Sequence, residues 1–226
     1  MLSFDLNNET ESERSIVGGV KSKNVDLVVN KDGIGPVIAV SVKGTGNAFR
    51  NLTNRMEEII GDCANLHMMY PGLVYGFLHV IKANRDGQAN ISSNDICVNS
   101  EGEVVPAIER WHTVLSELTG RTMLSDDVMR YEAIALILAE TISQKEGMIF
   151  ESFPGIRSPL LLRGFFSRLY TLYDLRFSYK LSKSVSARRL EWSEQSPAIQ
   201  EMLTQFPQGL EHELGYSPRI ATAIDT

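Results

Sequence analysis

The sequence predicts an α/β fold, a central mixed β-sheet flanked by helices, and three observations predict it. Between Asn24 and Leu66 the apolar residues first recur at every second position and then, from Arg50, at every third and fourth, which marks two strands followed by a helix. Leu73 to Ile81 is a β-branched and aromatic run of the kind that forms a buried central strand. Ala107 to Leu118 returns to helical spacing, with Ile108, Trp111, Leu115 and Leu118 on one stripe. Strands alternating with amphipathic helices build a sheet covered by helices.

Ser15 to Val20 reads as a short first strand, weakened or bulged at Gly18-Gly19. In the second, Val25, Leu27 and Val29 alternate with Asp26, Val28 and Asn30, so Asp26 faces away from three apolar residues. Lys31 to Gly35 is turn chemistry, with Asp32-Gly33 as the reversal. In the next strand Val37, Ala39, Ser41 and Lys43 share one face, while Ile38, Val40 and Val42 fill the other. A nearly continuous apolar run ending in lysine predicts a central strand with a buried ammonium, which is costly without partners. The hairpin brings Asp26 towards that lysine. A helix over 49–67 follows, with Leu52, Met56, Ile59, Cys63 and Leu66 on one stripe and Arg50, Asn54 and Glu57 on the opposite side. With the stripe packed on the sheet, Glu57 faces whatever lies beyond the strand ends. An acid, a lysine and a second acid from strand, strand and helix make a candidate metal site.

These residues resemble the PD-(D/E)XK nuclease motif. Asp26 is followed by Ser41-Val42-Lys43, with Val25 where the motif has proline and Ser41 where it has its second acid. In the type II restriction endonucleases that cut around a CCGG core, a glutamate on the following helix supplies the missing carboxylate. Glu57, fourteen residues after Lys43, is similar to that arrangement. The resemblance covers roughly residues 20 to 85. It implies a restriction-endonuclease-like core that hydrolyses double-stranded DNA at a specific site with Mg²⁺. Asp26 and Glu57 would hold the metal, with Glu58 taking over if the helix register is off by one. Lys43 would orient or deprotonate the water, or steady the phosphate, and Ser41 would hold a metal-bound water. Two symmetric strand cuts call for two sites related by a two-fold, hence a homodimer or higher oligomer. The target of the CCGG enzymes does not carry over, because the match to their recognition motif is not close.

Arg50, Asn51, Asn54 and Arg55 open the helix beside this site. Arginine reads guanine and asparagine reads adenine in the major groove, so these four are the candidate DNA contacts; the plain alternative is a solvated helix start. Gly44 to Gly46 lacks the spacing of a phosphate loop and is better read as a flexible exit from strand to helix.

At 226 residues and 43% hydrophobic the chain can bury a substantial core. We expect an acidic N-terminal segment over 1–14, a nuclease domain over 15–190 and an irregular C-terminal extension over 191–226 with a short helix from Pro197 to Phe206. The net charge of -6 argues against an indiscriminate nucleic-acid coat. Charge is unevenly spread, however: Arg157 to Arg189 holds eight bases against Asp174. The helix expected over 158–179 interleaves aromatics with these arginines, which suits stacking and phosphate contact. Leu161, Phe165, Leu169 and Leu172 are spaced for a core or a dimer seam. No apolar run approaches the ~20 residues needed to span a bilayer, and residues 1–14 are too acidic for a secretory signal, so a soluble cytoplasmic protein is expected.

Two cysteines give neither a disulfide framework nor CxxC metal spacing, and Cys63 reads as a small core residue. His79 reads as a hydrogen-bonded core histidine. Asn84 to Val105 is polar and turn-rich and reads as a surface loop. Residues 131–141 combine helix-favouring composition with the need for a further strand, and strand is the choice. Two other functions stay open: a catalytically weak or inactive DNA-binding or defence protein of the same fold, because Ser41 removes an acid, and an unrelated α/β protein in which Asp26 and Lys43 form a structural ion pair.

Overall fold

The computed structural model describes residues 14–31, 33–46, 52–142, 144–178, 192–207, 209–210, 214 and 220–221. The expected acidic segment 1–14 lies outside them apart from Arg14, as do Arg50 and Asn51. Its centre is a four-stranded sheet in the order β3-β4-β5-β6, formed by β3 (Leu27–Lys31), β4 (Gly35–Thr45), β5 (Val74–Ala83) and β6 (Ala133–Glu140). β3 runs antiparallel to β4, and β4, β5 and β6 run parallel. Parallel neighbours need crossovers, which α1 (Leu52–Met69) and α2 (Pro106–Leu118) supply. The expected mixed sheet flanked by helices is therefore present.

The alternation along β4 and β5 sorts side chains between two layers. Ala39, Tyr75, Phe77 and Ile81 join a cluster with Leu52, Ile59, Cys63 and Leu66 of α1 and Ile108, Trp111 and Leu115 of α2. Ile38, Val40, Val74 and Ala135 meet Phe165, Leu169 and Leu172 of α3 (Leu162–Tyr173) on the other face. Gly76 is where α3 comes closest: an added Cβ would stand 2.7 Å from the Phe165 ring. The helical stripes read from the sequence are the buried faces.

Two expectations need correcting. The strand expected through Val25–Asn30 is broken at Asp26: β1 (Arg14–Val17) and β2 (Ser22–Val25) form their own hairpin, and β3 starts afresh at Leu27. The hairpin is held to the end of α1, where Asn65 Oδ1 accepts from the Val20 and Lys21 amides at 2.7 and 3.1 Å, and Gly18 leaves the room its side chain needs. The helix expected from Ser158 starts only at Leu162, because the Leu160 carbonyl accepts from Leu136 N at 3.0 Å and so belongs to the edge of the sheet. The short helix expected from Pro197 is α4 (Pro197–Gln205), whose Ala198, Ile199 and Met202 are buried in the main core together with Leu210 and Leu214. On either side of α4, β7 (Trp192–Ser193) pairs in parallel with β8 (Ile220–Ala221).

A charged knot lies under the β5 and β6 starts. Glu132, fully buried, accepts from Arg121 at 2.7 Å, Arg176 at 2.8 Å and the Tyr75 amide at 2.8 Å, with His67 Nε2 at 3.2 Å. A π turn over Asp174–Ser178 aims Arg176 inward, where it also donates to the Leu73 carbonyl at 3.0 Å. Four segments distant in sequence meet on one carboxylate. Among the described residues no helix is long and apolar enough to cross a membrane.

Candidate functional site

Asp26 sits at the bend between β2 and β3, where a regular ladder would place a backbone carbonyl. Its Oδ2 takes over that task and accepts the Val42 amide at 2.7 Å. The carboxylate is exposed, and the bond fixes it beside the backbone of the residue preceding Lys43. The hairpin thus brings the acid up to the strand that carries the lysine.

Lys43 is half-buried rather than buried, correcting the expectation of a sequestered ammonium. The reason is the length of β4: its end runs past the helix cover, and Val42 and Gly44 on either side are exposed. Lys43 pairs in register with His79 and shares its face with Ser41 and Thr45. Ser41 is 4% exposed and its hydroxyl shares a 2.8 Å hydrogen bond with the Tyr75 phenol. Burial pushes the Tyr75 phenol above its ordinary pKa, against the lowering effect of Ser41. Both hydroxyls stay protonated, and Ser41 has one partner already.

One residue pair further along, a second polar chain crosses the sheet. The Trp111 indole N–H donates to His79 Nδ1 at 2.9 Å, so the imidazole proton sits on Nε2, which lies 2.9 Å from Thr45 Oγ1 and donates to it. Burial, with the nearby Arg55 charge adding to it, pulls the His79 pKa down to about 3. A neutral, fully hydrogen-bonded histidine holds its geometry over the whole physiological range. The core role expected of His79 is the one it has.

On α1, Glu57 and Asn54 are exposed and Arg55 is half-buried. Glu57 makes no contact with Asp26 or Lys43 among the described residues. Glu58 is 3.9 Å from Lys23 and 3.7 Å from Arg55, and the buried Asp62 one turn on holds Lys23 at 2.6 Å. Among the described residues no group of three or more His, Cys, Asp or Glu converges as a metal cage. Asp26 and Glu57 are each exposed and outside any ion pair among those residues.

Beside the start of α1 lies a groove of about 640 Å³, bounded by Leu52, Thr53, Met56, Asn94, Arg110 and Trp111. It has the size of a small-ligand cleft, and the supposed surface loop supplies one wall through Ser93, Asn94 and Ile96. Cys63 and Cys97 are both buried, and burial pushes the Cys97 thiol up to about 12 and Cys63 well up too, so neither is a nucleophile. Sequence spacing did not single out Tyr75 or Thr45. Their chemistry depends on the parallel register of β4 with β5, and the period-2 pattern gave the face of each strand without its neighbour. Compared with known proteins, the chain matches no family model, no curated protein and no solved structure.

Proposed function

We propose that the chain is a Mg²⁺-dependent endonuclease of the restriction type, hydrolysing phosphodiester bonds of double-stranded DNA at a specific site. The observation that carries this reading is the Asp26 carboxylate fixed on the Val42 amide, with Lys43 next on the same strand, in a sheet whose β3-β4 hairpin leads through α1 into a parallel β5. It is the element order in which the resemblance to PD-(D/E)XK nucleases assigns an acid and a lysine to one scissile phosphate.

In this reading Asp26 and Glu57 hold Mg²⁺, which supplies a polarised phosphoryl oxygen and a more acidic water. Glu57, on the exposed face of α1, would supply the second carboxylate, with Glu58 as the neighbour that takes its place if the register differs. Lys43, half-exposed and outside any ion pair among the described residues, has a free ammonium to aim at water or phosphate. Ser41 does not replace a carboxylate. Its bond to Tyr75 keeps the floor of the site rigid. Arg50, Asn51, Asn54 and Arg55 contact the duplex at the start of α1, and a homodimer or higher oligomer cuts both strands. The exposed Phe166 and Tyr170 of α3 are the seam in this proposal.

A second reading is favoured by one observation: with Ser41 engaged by Tyr75 and Glu57 out on the helix surface, only Asp26 brings an acid to the strand pair. A DNA-binding or defence protein of weak catalysis fits that. Incubation with mixed plasmid and phage DNA in Mg²⁺ or in EDTA separates the two. Discrete bands that need Mg²⁺ support the endonuclease, and intact DNA that is still retained by the protein supports the second reading.

A further inference from the structure

On the sheet face opposite Lys43, α3 begins beside a groove of about 520 Å³. Arg157, Arg163 and Arg168 line it, with the hydroxyls of Thr122, Ser167 and Thr171 between them, and no carboxylate lines it at all. All three arginines are exposed. A fourth stands behind them: the Nη2 atoms of Arg130 and Arg168 each lie 3.5 Å from the point where a Gly120 Cβ would be. Among the described residues none of the four makes an ion pair.

Two guanidiniums sharing the space over one glycine repel each other, and a chain of net charge -6 has acids enough to have paired them. Instead, neutral carbonyls hold two of them in place: Arg163 Nη2 donates to Ile156 O at 3.1 Å and Arg130 Nη2 to Thr119 O at 2.6 Å. These bonds orient each fork and leave its charge uncompensated. α3 also starts without a side-chain cap, so its first amides add to the same positive field. The groove is thus prepared for an anion that comes from outside.

We infer that this groove is a second nucleic-acid contact, one that holds the phosphate backbone of a strand away from the Lys43 site. All four cations are arginines, whose planar fork matches phosphate oxygens in pairs. Three of them line an open groove, with Arg130 behind, which suits a continuing chain of phosphates. The lining offers no exposed aromatic ring to stack a base, so it grips backbone without reading sequence. This inference does not rest on cleavage at Asp26 and Lys43, and it would hold for a protein that binds and does not cut.

The test is duplex binding in EDTA, where no cutting occurs, by fluorescence anisotropy of a labelled duplex over a range of KCl concentrations. The triple variant Arg157→Gln, Arg163→Gln, Arg168→Gln should bind at least tenfold more weakly at low salt. The slope of log affinity against log salt should shrink by about 2 to 3, near 0.9 for each phosphate that is no longer neutralised. Because all three side chains are exposed, the variant should melt with the wild type. Should the triple change disturb folding, Arg157→Gln and Arg168→Gln singly should each remove about 0.9 from the slope. Unchanged affinity and slope would overturn the inference. So would polyglutamate displacing the duplex as effectively as unlabelled duplex of equal charge. Loss of cleavage with the slope intact in Lys43→Ala separates this groove from the site across the sheet.

Discussion

Replacing Glu132 with alanine removes the carboxylate on which Arg121, Arg176 and His67 converge at 2.7, 2.8 and 3.2 Å. Arg121 and Arg176 are 0% and 4% exposed, so neither can turn to water when its partner goes. Breaking a buried pair from one side costs about 3 to 5 kcal/mol, because the remaining charge stays desolvated. For a chain of this length each kcal/mol moves Tm by about 2 to 4 °C, giving a fall of roughly 6 to 20 °C. Acid should act on the same group. Burial by itself would raise the Glu132 pKa, but the His67 charge and hydrogen bond, then Arg176 and Arg121, outweigh it and bring it from 4.5 to about 2. A folded pKa below the unfolded one means the stabilisation is whole above pH 4.5 and is lost as pH falls from there towards 2. Its size is on the order of 3 kcal/mol. Glu132→Gln keeps the shape without the titration, so its Tm should fall less steeply than that of the wild type over that range. Melting by circular dichroism from pH 7 to pH 3 reads all three proteins. A Glu132→Ala protein melting within about 2 °C of wild type at pH 7 would refute the reasoning, since a buried pair broken from one side costs far more.

Asp26→Ala and Glu57→Ala should each abolish Mg²⁺-dependent cleavage with the fold intact, as both carboxylates are exposed; if Glu57→Ala cuts normally in a plasmid assay while Glu58→Ala does not, the metal ligand is one residue along. Gly76→Ala should destabilise by about 1 to 3 kcal/mol, because its Cβ would press on the buried Phe165 ring at 2.7 Å and on Leu169 at 3.0 Å. Urea unfolding checks it, and an unchanged midpoint would mean α3 can lift off the sheet freely. Light scattering at micromolar protein should give a homodimer or larger, with Phe166→Ser and Tyr170→Ser shifting it towards monomer; a monomer with and without DNA would count against the proposed seam.

The helices were legible where one face alone is buried. Leu52, Ile59, Cys63 and Leu66 in α1, and Ile108, Trp111 and Leu115 in α2, declare a stripe that any packing partner would satisfy. The break at Asp26 was not legible, because Val25 and Leu27 continue a period-2 pattern straight across it. Only the acid's bond to the Val42 amide shows that a side chain has replaced the ladder. The start of α3 was misplaced for a similar reason: Ser158-Pro159 is real helix-opening chemistry, and the pull of Leu160 onto Leu136 overrides it. The Lys43 site was half legible. Two residues of one strand, Ser41 and Lys43, share a face by geometry, but Tyr75 and His79 come to that face through a parallel pairing about 36 residues distant, and Trp111 through the packing of α2, neither of which a local pattern encodes. Glu132 gave no signal at all, since its partners lie at 67, 121 and 176 and a lone acid at the head of an apolar strand looks like an edge residue.

Lys43→Ala tests the central claim most directly, read by thermal melting, duplex binding and plasmid cleavage on the same preparation. The lysine is half-exposed and outside any ion pair among the described residues, so its loss should cost the fold no more than about 0.5 kcal/mol. The variant should melt with the wild type, still bind duplex DNA, and cleave slower by orders of magnitude, because the ammonium acts at one phosphate. A well-folded Lys43→Ala protein that cuts DNA at the wild-type rate would contradict that claim.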